Sequence, residues 1–130
     1  MSVNENNGGG GEDKEREVLI WTRALASRPR DPQLWCGYST LLVRLGRAAE
    51  AVEGFERALA IDPNHMATIC NYAVFMEQQG KNDLVCELYE RAIRGNVAAD
   101  ISPVTAMSNY GHFLCRRGDF DRAVKHATTR

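Results

Sequence analysis

No charge of either sign dominates this chain: 16 Lys and Arg stand against 17 Asp and Glu in 130 residues, a net charge of −1. Duplex nucleic-acid binders carry a basic excess to neutralise phosphates, so nucleic acid is not the expected partner. Long apolar runs are also missing. Stretches such as Val18–Trp21 fall far short of the roughly 20 residues that span a bilayer, so no membrane role is expected. The opening MSVNENNGGGGEDKERE is polar and acidic, unlike a secretory or mitochondrial presequence. None of the four cysteines, Cys36, Cys70, Cys86 and Cys115, forms a Cys-x-x-Cys pair, so free thiols and a cytoplasmic location are expected over a disulfide framework. Catalytic constellations are lacking as well. Gly8–Gly11 follow no strand, no Ser/His/Asp or Cys/His set stands out, and His65 beside Asn64 reads as a turn residue. Neither an enzyme nor a cofactor is expected.

What is present fits one domain: 44% of the residues are hydrophobic and 25% charged. Residues 1–12 are rich in Asn, Gly and Glu and are expected to form a disordered tail, because they bury too little surface to offset chain entropy. Charge shifts along the chain, with five acids and two bases through Glu17 but five bases and two acids from Arg116 onward.

Internal repetition is the informative feature. W-T-R-A-L-A-S-R-P-R (Trp21–Arg30) aligns with F-E-R-A-L-A-I-D-P-N (Phe55–Asn64) at an offset of 34. L-G-R-A-A-E-A-V-E-G-F-E-R-A-L (Leu45–Leu59) aligns with Q-G-K-N-D-L-V-C-E-L-Y-E-R-A-I (Gln79–Ile93) at the same offset, 34. N-Y-A-V-F (Asn71–Phe75) matches N-Y-G-H-F (Asn109–Phe113) at 38, which puts a four-residue insertion in the Gly95–Pro103 connection.

Each unit reads as two helices. In the first, apolar or small residues recur at helical spacing: Trp35, Tyr38, Ser39, Leu42; then Ile69, Tyr72, Ala73, Met76; then Met107, Tyr110, Gly111, Leu114. Gly46, Gly80 and Gly118 follow these helices, where a left-handed C-cap costs glycine least. The second helix carries Ala51, Phe55 and Ala58, then Val85, Tyr89 and Ala92. Asp31-Pro32 and Ser102-Pro103 read as N-cap plus first-turn proline.

Over roughly residues 14–130 the chain resembles the tetratricopeptide-repeat family, through the 34-residue period and Trp35, Tyr38-Ser39, Leu42, Gly46, Ala51, Phe55, Ala58 and Pro63. It departs from the family at Val85, Val97 and Ala127. The resemblance implies an all-α, right-handed solenoid of about seven helices: a leading helix in 13–31, repeats at 32–65 and 66–103, and a repeat at 104–130 expected to be cut short. It also implies a non-catalytic scaffold whose opening helices line a concave groove for a peptide segment of a partner protein.

The groove face of those helices would carry Thr40 and Arg44; Asn71, Val74 and Gln78; and Asn109, His112 and Arg116. Asn71 and Asn109 share one repeat position, and a carboxamide pairs with any peptide bond because it offers donor and acceptor together. The alternative is that each Asn satisfies a neighbouring helix. A chaperone-type carboxylate clamp is not supported, because of Cys36, Thr40, Asn71, Thr105 and Asn109 only Asn71 fits it. Zinc held by Cys36, Cys70, His112 and Cys115 is weighed and set aside, since Cys36 lies two helices distant in such a stack. The remaining alternatives are self-association through an apolar edge, Phe120, Ala123, Val124 and Ala127, and base-by-base RNA reading, which the neutral charge disfavours.

Overall fold

The computed structural model describes the backbone of residues 2–117 and the side chains of residues 11–117. Among the described residues there are six helices and no strand, an all-α fold. They divide into two compact units, Met1–Asp62 and Pro63–Arg130. The seventh helix expected after Gly118, and the apolar edge Phe120 to Ala127, lie outside the described residues.

The first unit contains α1 (Ser2–Ser27), α2 (Pro32–Arg44) and α3 (Ala48–Ile61). The sequence starts this leading helix near residue 13, after a tail; the helix instead begins at Ser2 and runs through Gly8–Gly11. Glycine disfavours a helix by about 1 kcal/mol each but does not block it as proline does, and no proline falls in Ser2–Ser27. Asp31 caps α2 as expected: its Oδ1 accepts the Gln33 N–H at 2.9 Å and the Leu34 N–H at 3.3 Å, with Pro32 in the first turn. The helix ends in a Schellman turn. Gly46 has φ +77°, its N–H reaches the Val43 carbonyl at 3.0 Å, and the Arg47 N–H reaches the Leu42 carbonyl at 2.9 Å.

Neighbouring helices in this unit run antiparallel. Trp21 of α1 lies on Gly37 of α2 while Glu17 reaches Arg44, and α3 sets Gly54 on Ser39 and Arg57 over the Trp35 ring. Gly37 and Gly54 are close-approach glycines: a Cβ on the first would strike the Trp21 ring, and one on the second the Ser39 hydroxyl. Leu25, Cys36, Leu41, Leu42, Phe55 and Ala58 complete this core. Cys36, weighed above as a zinc ligand, is buried in this core.

The second unit contains α4 (Met66–Gln78), α5 (Asn82–Ala98) and α6 (Val104–Arg116). The turn between α4 and α5 repeats the earlier one, with Gly80 at φ +74° and the Lys81 N–H on the Met76 carbonyl at 2.9 Å. The inserted residues do not form a simple connection. Helix α5 continues to Ala98 and closes with a third Schellman turn, in which Asp100 at φ 60° takes the left-handed position and the Ile101 N–H reaches the Asn96 carbonyl at 2.7 Å. Gly95 thus lies inside a helix, where an added Cβ would sit 3.1 Å from Asn64 Oδ1. That turn leaves only Ser102 as a link, so Pro103 rather than Ser102 occupies the N-cap of α6, with no side-chain cap bond. Beyond its own helix, no described residue lies within 4 Å of a Cβ placed on Gly111, so that glycine does not mark a close approach among the described helices.

Candidate functional site

Helix spacing brings six of the expected groove residues to one side of the second unit. On α4, Asn71, Val74 and Gln78 follow at i, i+3 and i+7 and are all exposed. On α6, His112 and Arg116 are exposed and Asn109 is half-buried, in the same i, i+3, i+7 stagger. The opposite faces fill the core with Ile69, Tyr72, Ala73 and Met76 from α4 and Ala106, Tyr110, Phe113 and Leu114 from α6.

Two side-chain links tie these helices together. Asn109 Nδ2 donates to Cys70 Sγ at 3.1 Å, and Arg116 donates to Glu77 Oε1 at 2.8 Å. Both join residues 39 apart in the chain, and both step forward by seven on each helix, so α4 and α6 run parallel in register. Seven residues of helix rise about 10 Å, the length of roughly three residues of extended chain. The Arg116 guanidinium also lies 6.0 Å from the Phe113 ring centroid.

Beneath the links, α5 closes the unit. The Tyr89 and Tyr110 rings stack with centroids 5.6 Å apart and planes at 16°. The Tyr110 hydroxyl donates to Glu90 at 2.7 Å. Burial pushes the Tyr89 hydroxyl up to about 12, and burial together with the Glu90 bond raises that of Tyr110 further, so both are neutral donors across the physiological range. The stacking and the Glu90 bond both tie α6 to α5. At the start of α4, His65 is the N-cap residue, with its Nδ1 2.7 Å from Thr68 Oγ1.

Thr40 and Arg44 belong to the first unit. Both are exposed on α2; Thr40 Oγ1 donates to its own helix at the Cys36 carbonyl, 2.9 Å, and Arg44 lies 3.4 Å from Glu17 on α1. The two rim arginines, Arg44 and Arg116, are thus each paired with a carboxylate of another helix in their own unit. Glu77 is a neighbour of this face that periodicity overlooks. Its signal is the shared offset of 39 with the Cys70–Asn109 pair, which residue type alone does not reveal.

Among the described residues no group of three or more His, Cys, Asp or Glu side chains is placed to hold a metal ion. All four cysteines are free thiols, buried at Cys36 and Cys86, half-buried at Cys70 and exposed at Cys115. No described helix is long and apolar enough to cross a membrane. No protein-family model matches the chain, and no curated protein matches it either.

Proposed function

We propose that this chain is a tetratricopeptide-type helical-repeat scaffold, a right-handed solenoid that binds an extended segment of a partner protein and performs no chemistry on it. The observation that carries the reading is the parallel, in-register placement of α4 and α6, with Asn71 and Asn109 at equivalent points of two repeats and 34-residue periodicity behind them. Parallel first helices from successive helix pairs are what a solenoid requires. In that reading Thr40 and Arg44 hold, one period earlier, the repeat positions of Val74 and Gln78.

The chemistry of the face supports an uncharged ligand backbone over a charged one. Arg116 is neutralised by Glu77, Val74 offers an apolar contact at 48% exposure, and Asn71, Gln78 and Asn109 offer carboxamides. The bond to Cys70 engages one Asn109 N–H, and a carboxamide carries a second N–H and an acceptor oxygen. A peptide laid along α4 and α6 would therefore be held through its backbone, with side-chain selectivity set around Val74 and His112. The free thiols support a reducing, cytoplasmic setting for such a scaffold.

The test is selection from a displayed random-peptide library against the full chain, with the Asn71→Ala, Asn109→Ala variant as control. The reading expects peptides enriched on the wild type and lost on the variant. Peptides retained equally by both proteins would refute it.

A further inference from the structure

The order Ser102-Pro103 suits a helix cap, and the fold does not use it as one. Pro103 is the N-cap residue of α6, and Ser102 stays outside the cap as the exposed link from the turn at Asp100. Of the four prolines, Pro29, Pro32 and Pro63 follow Arg28, Asp31 and Asp62, and Pro103 alone follows a hydroxyl residue. The Ser102–Pro103 bond is trans, and a proline holds the residue before it to extended backbone. The neighbours on both sides are exposed too, Ile101 by 48% and Val104 by 66%. The link can therefore enter the cleft of an enzyme without drawing a side chain out of the core.

The two sides of the link differ in strength. Upstream, the Ile101 N–H on the Asn96 carbonyl at 2.7 Å fastens the end of α5. Downstream, α6 starts with no side-chain cap bond and no acidic residue in its first turn. Such a helix end opens at little cost. Val104 and Thr105 are exposed and the first buried side chain of α6 is Ala106, so Ser102 and the two or three residues after it can extend while the rest of the unit stays folded.

We propose that Ser102 is a phosphorylation site for a proline-directed Ser/Thr kinase. The Ser102 hydroxyl oxygen attacks the γ-phosphorus of Mg·ATP. A new O–P bond forms, the bond to the β-γ bridging oxygen breaks, ADP leaves, and the hydroxyl proton passes to the carboxylate base of the kinase. Proline is the recognition element because its nitrogen carries no hydrogen: a cleft that offers no acceptor at that point penalises every other residue for a buried, unpaired N–H. Kinases that select basic flanks do not fit, since Asp100 is the one Asp, Glu, Lys or Arg between Gly95 and Cys115. The product puts about two negative charges between the apolar side chains of Ile101 and Val104, in a stretch that otherwise carries one.

The test incubates the folded full chain with a panel of proline-directed kinases and Mg·ATP, beside a synthetic peptide of residues 97–108, and maps the phosphate by mass spectrometry. The expected result is one phosphate, on Ser102, entering the folded chain within about tenfold of the peptide rate, because only a helix end has to open. Ser102→Ala should abolish the label. Pro103→Ala, with helicity matched to wild type, should slow it by about tenfold or more through the N–H it restores. Phosphate taken up by the peptide but not by the folded chain, phosphate on another residue of the chain, a Pro103→Ala rate equal to wild type, or no uptake by either substrate would each overturn the proposal.

Discussion

Asn109 Nδ2 lies 3.1 Å from Cys70 Sγ, and this contact joins α6 to α4 on the face assigned to peptide binding. It fixes the Asn109 side chain at the cost of one donor, and it shields a half-buried thiol. Thiol labelling therefore orders the cysteines. Cys115 should react first, Cys70 more slowly, and buried Cys36 and Cys86 only on unfolding. Asn109→Ala should accelerate Cys70 without changing Cys115, a difference readable by mass spectrometry of partly labelled protein.

Gly54 carries the closest approach in the first unit. Gly54→Ala forces a methyl group into the Ser39 hydroxyl and should cost about 1–3 kcal/mol in urea unfolding. The Ser39 hydroxyl is itself buried with no hydrogen-bond partner among the described residues. Ser39→Ala alone should thus stabilise by up to about 1 kcal/mol, and in combination it should recover most of the Gly54→Ala loss.

Asp100 holds a left-handed backbone, φ 60°, in a turn that elsewhere in this chain uses Gly46 and Gly80. Asp100→Gly should raise stability by about 1 kcal/mol, and Asp100→Val should lower it by at least as much, because a β-branched residue tolerates that conformation worst. Thermal unfolding of the two variants against wild type measures both.

Alkaline pH should weaken the second unit. The Tyr89 hydroxyl is pushed from 10.0 to about 12 by burial, so the folded chain keeps a proton that the unfolded chain releases. Its contribution to stability is complete below about pH 10 and declines as pH climbs toward 12. Ultraviolet titration should show a tyrosine ionising near pH 12 in the folded protein, absent in Tyr89→Phe and shifted to about 10 in denaturant.

Local chemistry was legible from residue order wherever one residue type suffices for the task. The Asp31 cap, the Gly46 and Gly80 turns and the core stripe from Ile69 to Met76 all stand where spacing puts them. What escaped depends on neighbours. Helix α5 runs to Ala98 through the expected Gly95–Pro103 connection and turns at Asp100, which is strained at that φ. The bonds from Asn109 to Cys70 and from Arg116 to Glu77 arise from helix register, so isolated reading of either partner misses them. The same register pairs Arg116 with Glu77, a contact that residue type alone does not show.

The Asn71 and Asn109 carboxamides are where the account is most exposed to refutation. The decisive measurement is the affinity of a library-selected peptide for the full chain and for Asn71→Ala, Asn109→Ala, with helicity and unfolding midpoint matched. Loss of backbone pairing should cost about 1–3 kcal/mol, a rise in Kd of about 5- to 150-fold. An unchanged Kd in the folded double variant would contradict the assignment of this face to peptide binding.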